Sequence, residues 1–412
     1  MDSPRDEAQR MLRLPQVFHT RFPLCAVLII LSCFHLFGFG VIAALELADA
    51  EGIVLSDGVT PVGGDFINLW TVGQLLAEGR TDEVYDPAAF MSYQWEAAGT
   101  PTGFRLWAYP PHSLLLGRVF GEPGYLASWL LWSLLGLIVL WWGARRLGLS
   151  KTMSAVLLLS PAVMYCLFLG QSGNLAAGLL MAALAKRGPL DGVGAVSATA
   201  LTIKPQLGFL LPVLWVLRGR WGQIALVSGL SLATITLSVG IYGPDVWRDY
   251  IGLTLPALSQ FERESTGPFM YLIPSVFMAV RILTDDGSLA GWVHLPFALL
   301  ALGYCAFRIA GSSGGTHRQA LVLVGTAVIA PYLHAYDLVV VLAGAFLALP
   351  GRTEGWPVAG VTVEPWLERA ILLAWALPYF TLLGNAAAVP IAPLVLLLVL
   401  VVTDRTLATR MR

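Results

Sequence analysis

The chain has 412 residues, 57% of them apolar and 12% charged, with a formal net charge of −1. So small a charged share excludes an ordinary soluble domain, and the missing basic excess excludes a nucleic-acid partner. The apolar runs approach the ~20 residues a helix needs to cross hydrocarbon and lack the alternation of an outer-membrane barrel. The fold class is therefore all-α integral membrane, a polytopic helical bundle.

In chain order, Arg10, Arg13 and Arg21 precede a first apolar run at 24–45, and Ala48-Asp49-Ala50 resembles a cleavage site. The run exceeds the roughly 7–15 apolar residues of a signal peptide, so it reads as a retained anchor. Further spans are expected at 125–144, 152–169, 172–186, 190–204, 206–217, 221–241, 290–308, 318–333, 337–350, 366–384 and 386–403, about twelve in all. The segment 271–283 is too short to span, carries Arg281, and reads as re-entrant or interfacial. Cys25, Cys33, Cys166 and Cys305 fall in apolar runs, so no disulfide framework is expected, and no Cys/His spacing suggests a metal. No internal repeat or low-complexity linker divides the chain, and residues 1–412 read as one domain.

Lys and Arg orient it. With the N-terminus inside, 18 of the 25 basic residues fall in cytoplasmic loops. Arg80, Arg105, Arg118, Lys204, Arg248, Arg263 and Arg281 remain outside. Both termini are then cytoplasmic in a plasma (inner) membrane protein. The two large segments, 46–124 and 242–289, lie outside, and any active site is extracytoplasmic.

The first outer segment contains Gly63-Gly64-Asp65-Phe66-Ile67-Asn68-Leu69-Trp70. Apolar residues then recur at helical spacing up to Gly79, as in an amphipathic helix lying on the membrane surface. Asp65 stands where an N-cap belongs; the competing reading is a general base aimed at a substrate hydroxyl. Asp86-Pro87 closes a polar turn, and Trp107-Ala108-Tyr109-Pro110-Pro111-His112-Ser113 leads into a further helix, with Tyr109 an interfacial anchor on the bland reading. Gly170-Gln171-Ser172-Gly173-Asn174 is a tight hairpin. Lys204, before Pro205, is the one outer lysine, so it either snorkels to the interface or serves a function. Pro331-Tyr332-Leu333-His334-Ala335-Tyr336-Asp337 joins two spans, and His334 and Asp337 either share a functional face or satisfy each other.

Taken in this order, GGDF, an amphipathic helix, VYDP, YPP, GQSGN, IKPQ and PYLHAYD resemble glycosyltransferase family 87, over about residues 60 to 340. The resemblance implies a GT-C bundle that transfers a sugar, mannose by family, from a polyprenyl-phosphate donor to a lipid or glycan hydroxyl. It makes Asp65 the catalytic base. Tyr109, Gln171, Asn174, Lys204 and His334 become substrate-binding residues, with Asp337 beside them. The donor phosphate needs cations, expected in the order Lys204, Arg263, Arg105, Arg118. Single displacement on a β-linked donor inverts. No cofactor or metal is expected beyond the donor itself, and the partners are donor, acceptor and membrane lipids. The rival reading from another class is a polytopic transporter or lipid flippase.

Overall fold

The computed structural model describes residues 24–48, 50, 52–185, 188, 190–265, 267–351, 353 and 363–410. Arg5, Arg10, Arg13, Arg21, Asp49, Lys186, Arg187, Arg352 and Arg412, used above for charge or cleavage, lie outside the described residues. Among the described residues the structure is helical, and its one β feature is an isolated bridge between Val54 and Pro61.

Helix α1 (Leu24–Ala48) leads into a segment that forms α2 (Phe66–Ala77), α3 (Pro87–Ala98) and α4 (Leu114–Gly121). The long α5 (Tyr125–Leu147) precedes a bent pair, α6 (Lys151–Leu158) and α7 (Pro161–Phe168), which meet at 49°. Pro161 causes the bend: it brings no N–H, and Ser160 before it is extended, with ψ of 153°. Four short helices follow, α8 (Gly173–Leu184), α9 (Gly192–Ala200), α10 (Pro205–Gly208) and α11 (Leu210–Leu217). The long α12 (Trp221–Tyr242) opens onto α13 (Asp245–Asp249), α14 (Leu255–Glu264), α15 (Pro268–Tyr271) and α16 (Val276–Thr284). The chain ends with α17 (Gly287–Gly311), α18 (Gly315–Ile329), α19 (Val339–Phe346), α20 (Pro365–Ala386) and α21 (Ala392–Thr409).

Six helices are long and apolar enough to cross a membrane unaided: α1, α5, α12, α17, α20 and α21; the bent α6–α7 pair makes a seventh. The protein is a membrane protein, but twelve such spans are not present among the described residues. The runs expected at 172–186, 190–204, 206–217, 318–333 and 337–350 form helices of at most 15 residues. Fifteen residues rise about 22 Å, short of the ~30 Å hydrocarbon core. Their apolarity has another cause. Every residue of α8 but Leu179 is buried, and so is all of α19, whereas α1 and α17 leave Phe34, Phe37, Leu300 and Phe307 about three-quarters exposed. Helices α8, α18 and α19 fill the centre, while α1, α5, α12 and α17 lie mostly on the outside of the bundle.

Helix α2 begins and ends as expected. Gly79 has φ of 75°, and Arg80 N–H returns to the Leu75 carbonyl at 2.8 Å, closing the last turn. Its apolar face, however, does not lie on a membrane. Phe66, Ile67, Leu69, Val72 and Leu75 are buried in protein, and a Cβ on Gly73 would come within 2.4 Å of Gly121 Cα in α4. The two helices touch backbone to backbone. Segment 271–283 holds most of α16, which buries Phe277, Met278 and Arg281 in protein. Arg281 Nε donates to the Arg263 carbonyl at 2.9 Å, and its guanidinium pairs with Asp285.

The helices share two ends. One carries the 62–113 segment, the turns at 169–173, 203–206 and 331–337, and α13 to α16. The other carries Arg145, Arg146, Lys151, Arg218, Arg220, Arg308, Arg318, Arg405 and Arg410, and its two buried carboxylates are taken. Asp191 accepts from Arg146 at 2.6 Å, and Asp404 accepts from Arg308 at 2.9 Å, His317 at 2.6 Å and Tyr304 at 2.7 Å.

Candidate active site

Gly63 and Gly64 have φ of 71° and 52°, and Gly170 has φ of 58°. A Cβ on Gly64 would sit 3.0 Å from Leu169 Cα, and one on Gly170 would sit 2.1 Å from the Gly63 carbonyl oxygen. Only glycine allows these two turns to press backbone on backbone. Asp65 N–H then donates to the Leu169 carbonyl at 3.0 Å, and the Asp65 carboxylate meets Gln171. Gln171 Nε2 donates to Oδ2 at 2.6 Å, while Arg105 Nε donates to Oδ1 at 3.0 Å. Asp65 holds the position before α2, yet its side chain accepts no capping bond and its ψ is 1° rather than extended. The capping reading is overturned. Asp86 is the working cap, accepting from the backbone N–H of Ala88 and of Ala89 at the head of α3. The Asp65 side chain stays 41% exposed, so a hydroxyl can approach it.

Tyr109 is not an interfacial anchor. Its hydroxyl shares a 2.6 Å hydrogen bond with Ser172, its carbonyl accepts from Tyr85 at 2.9 Å, and burial pushes its phenol above the ordinary range. The YPP and GQSGN elements are thus one unit. Asn174 turns the other way: it is buried, and its Nδ2 donates to the Val163 carbonyl at 3.4 Å. It props the hairpin from inside the bundle.

Lys204 is held inside the protein. Its ammonium donates to Asp337 Oδ1 at 2.6 Å and lies 4.8 Å from the Tyr336 ring centroid, with the Asp337 side chain fully buried. It neither snorkels nor stands free for a phosphate, because a buried carboxylate 133 residues away holds it. Asp337 Oδ2 also accepts from His334 N–H at 3.3 Å, closing a short helical turn. A Cβ on Gly173 would meet Asp337 Oδ1 at 2.9 Å, so this turn abuts the GQSGN hairpin. The His334 ring stacks on Tyr336 at 4.9 Å, and desolvation pulls its imidazole down to about 4, so it is neutral at pH 7. His334 brings a hydrogen-bonding ring to this end and no positive charge.

Beside this network opens a cavity of about 760 Å³ along the first half of α17, lined by Phe209, Phe277, Trp292, Leu295 and Tyr332 among others. Arg263 lines it too, is exposed, and has no carboxylate within ion-pair distance among the described residues. Of the four expected outer cations, Arg105 is committed to Asp65, Lys204 to Asp337, and exposed Arg118 stands 3.8 Å from Glu122. Arg263 alone combines exposure with the cavity. Sequence reading missed Glu262, whose carboxyl burial raises to about 7, and Ser172, the partner of Tyr109. Glu262 stands in a polar stretch with Phe261 as its one apolar neighbour, so nothing local marked it or Ser172. Among the described residues no three His, Cys, Asp or Glu side chains come together as a metal site.

Residues 107–333, slightly more than half of the chain, match glycosyltransferase family 87. The chain belongs to that family. It is a glycosyltransferase of the membrane, acting on a sugar donor and an acceptor, as the motif order implied. No curated protein and no solved structure matches it. The match spans Tyr109, Gln171, Lys204 and Arg263, while Asp65 and Arg105 lie before it and His334 and Asp337 after it.

Proposed function

We propose that this glycosyltransferase moves a hexose, mannose by family, from polyprenyl phosphate to a hydroxyl of a lipid or glycan, with inversion, through a GT-C mechanism. The observation that carries this reading is Asp65 itself, a part-exposed carboxylate that caps no helix and is held on both oxygens by Arg105 and Gln171. Asp65 accepts the acceptor proton, and Arg105 and Gln171 fix its direction. Arg263 stabilises the departing phosphate, whose negative charge grows as the glycosidic bond breaks. The cavity along α17 takes the first isoprenoid units. Tyr109, Ser172 and His334 offer neutral hydrogen-bonding groups to the sugar.

The reading places Asp65 on the extracytoplasmic face of the plasma membrane, because the basic end of the bundle then faces the cytoplasm with both termini. In a background lacking the four native cysteines, a cysteine at exposed Glu96 should label with an impermeant thiol reagent in intact cells, and one at Arg405 should not. The reverse pattern would move the active site inside. For the reaction, purified protein is incubated with labelled polyprenyl-phosphate sugars and a membrane-lipid extract. A labelled, α-linked product that disappears with Asp65→Asn supports the proposal; transfer only from a sugar nucleotide sinks it.

A further inference from the structure

The IKPQ element contributes more than Lys204. Pro205 starts α10 directly after the lysine, and Gln206 follows, half-buried in the wall of the cavity of about 760 Å³. Every other glutamine among the described residues commits its amide to the protein. Gln171 holds Asp65, Gln94 holds Asn68, Gln260 holds Glu264, and Gln74, Gln223 and Gln319 hold backbone carbonyls. The Gln206 amide has no such partner among the described residues. Its backbone is nevertheless fixed: buried Asp337 holds the Lys204 ammonium at 2.6 Å, and Leu207 N–H returns to the Lys204 carbonyl at 3.1 Å. An open amide on a rigid base is built as a binding group is built.

Contacts run without a break from this turn to the base. Asp337, the partner of Lys204, abuts the 170–174 hairpin at Gly173, and the same hairpin holds Asp65 through Gln171. The 203–206 turn therefore joins the cavity wall to the element that carries Asp65. Chemistry then selects what the amide meets. Arg263, in the same wall, offers donors only, and a phosphodiester offers acceptors only, so those two match. A carboxamide offers both an N–H donor and a carbonyl acceptor, and a sugar hydroxyl both accepts and donates. Against phosphate the Gln206 carbonyl would stay unpaired. Resting on the donor reading above, we infer that Gln206 binds a hydroxyl of the donor sugar while Arg263 holds the phosphate.

The test uses the full chain in neutral detergent without acceptor, titrated separately with polyprenyl-phosphate mannose and with polyprenyl phosphate of the same chain length. Bound lipid is read by native mass spectrometry. Q206L should weaken retention of the sugar-bearing probe by about 3- to 10-fold relative to wild type, the factor expected for one neutral hydrogen bond. Retention of the sugar-free probe should not change, whereas a packing defect in the cavity wall would weaken both. If Q206L does not fold, Q206N decides: it keeps the amide but withdraws it by one methylene, and it should show the same selective loss. Equal retention of the sugar-bearing probe by wild type and variant overturns the assignment. So does a matched loss for both probes, which would place the amide on the phosphate or the wall. Wild type that binds neither probe overturns the donor reading itself, and this inference with it.

Discussion

Asp65 and Asp404 are both aspartates held by an arginine, at opposite ends of one bundle. Asp404 accepts from Arg308, His317 and Tyr304, and its side chain is 3% exposed; every approach to it is filled. Asp65 accepts from Arg105 and Gln171 and stays 41% exposed. Saturation makes one carboxylate a fastener, tying α17, α18 and α21 together. Incomplete enclosure leaves the other open to a group arriving from outside. The arginine partner alone does not separate the two roles; the remaining open side does.

The sharpest way to break this contrast is to exchange each aspartate for asparagine. Asp65→Asn should cost at least ~100-fold in turnover, the low end for loss of a general base, with little change in thermal stability. Asp404→Asn should do the converse, keeping turnover per folded molecule while losing about 3 kcal/mol of stability, because Arg308 and His317 keep buried donors without their anion. Matched turnover losses in the two variants would dissolve the comparison.

Lys204 sharpens it, since it lies at the Asp65 end but is built like Asp404. Lys204→Met should cost about 3 kcal/mol in a thermal or denaturant melt by leaving Asp337 charged and buried. Adding Asp337→Asn should recover most of that stability. Full stability in Lys204→Met would return the lysine to the phosphate. Arg263→Gln should lower kcat/KM for the donor by one to two decades, as expected of about 1.5–3 kcal/mol for a charge-assisted contact, without affecting the melt.

The smallest expected effect is a pH dependence. The Glu262 carboxyl is raised to about 7, so it is mostly protonated below that pH and becomes a second negative charge beside a donor phosphate above it. Donor KM should therefore rise up to about five-fold as pH passes upward through 7, within the range of partly exposed charge pairs. Glu262→Gln should flatten the profile. An unchanged profile would separate Glu262 from the phosphate.

Much of this was legible in the sequence, for identifiable reasons. Helices α1, α5, α12 and α17 leave most of their surface outside the protein core, so their length and apolarity report the membrane directly, while α20 and α21 are about half buried. The short helices α8, α18 and α19 share that apolarity because they are largely buried in protein, and hydropathy does not distinguish the two environments. At the site, Gly79 was readable because a helix end is a local event, whereas Asp86, expected only to close a polar turn, caps α3. Lys204 was not, because its partner Asp337 arrives from a distant turn. Asp65 was readable as one of two things, and the unused capping bond removes one of them.

The short interior helices also bear on how the chain is made. None of α8, α9, α11 or α19 covers the hydrocarbon alone, so none is a stable insertion unit as it leaves the ribosome. Helix α8 packs on α5, already synthesised, but α19 packs on α18, already made, and on α20 and α21, made last. The Lys204–Asp337 pair, too, closes only after α18 has emerged. Biogenesis therefore has a late commitment step: a nascent chain halted before α20 exposes its centre, and quality control should see every truncation of the last two helices as unfinished.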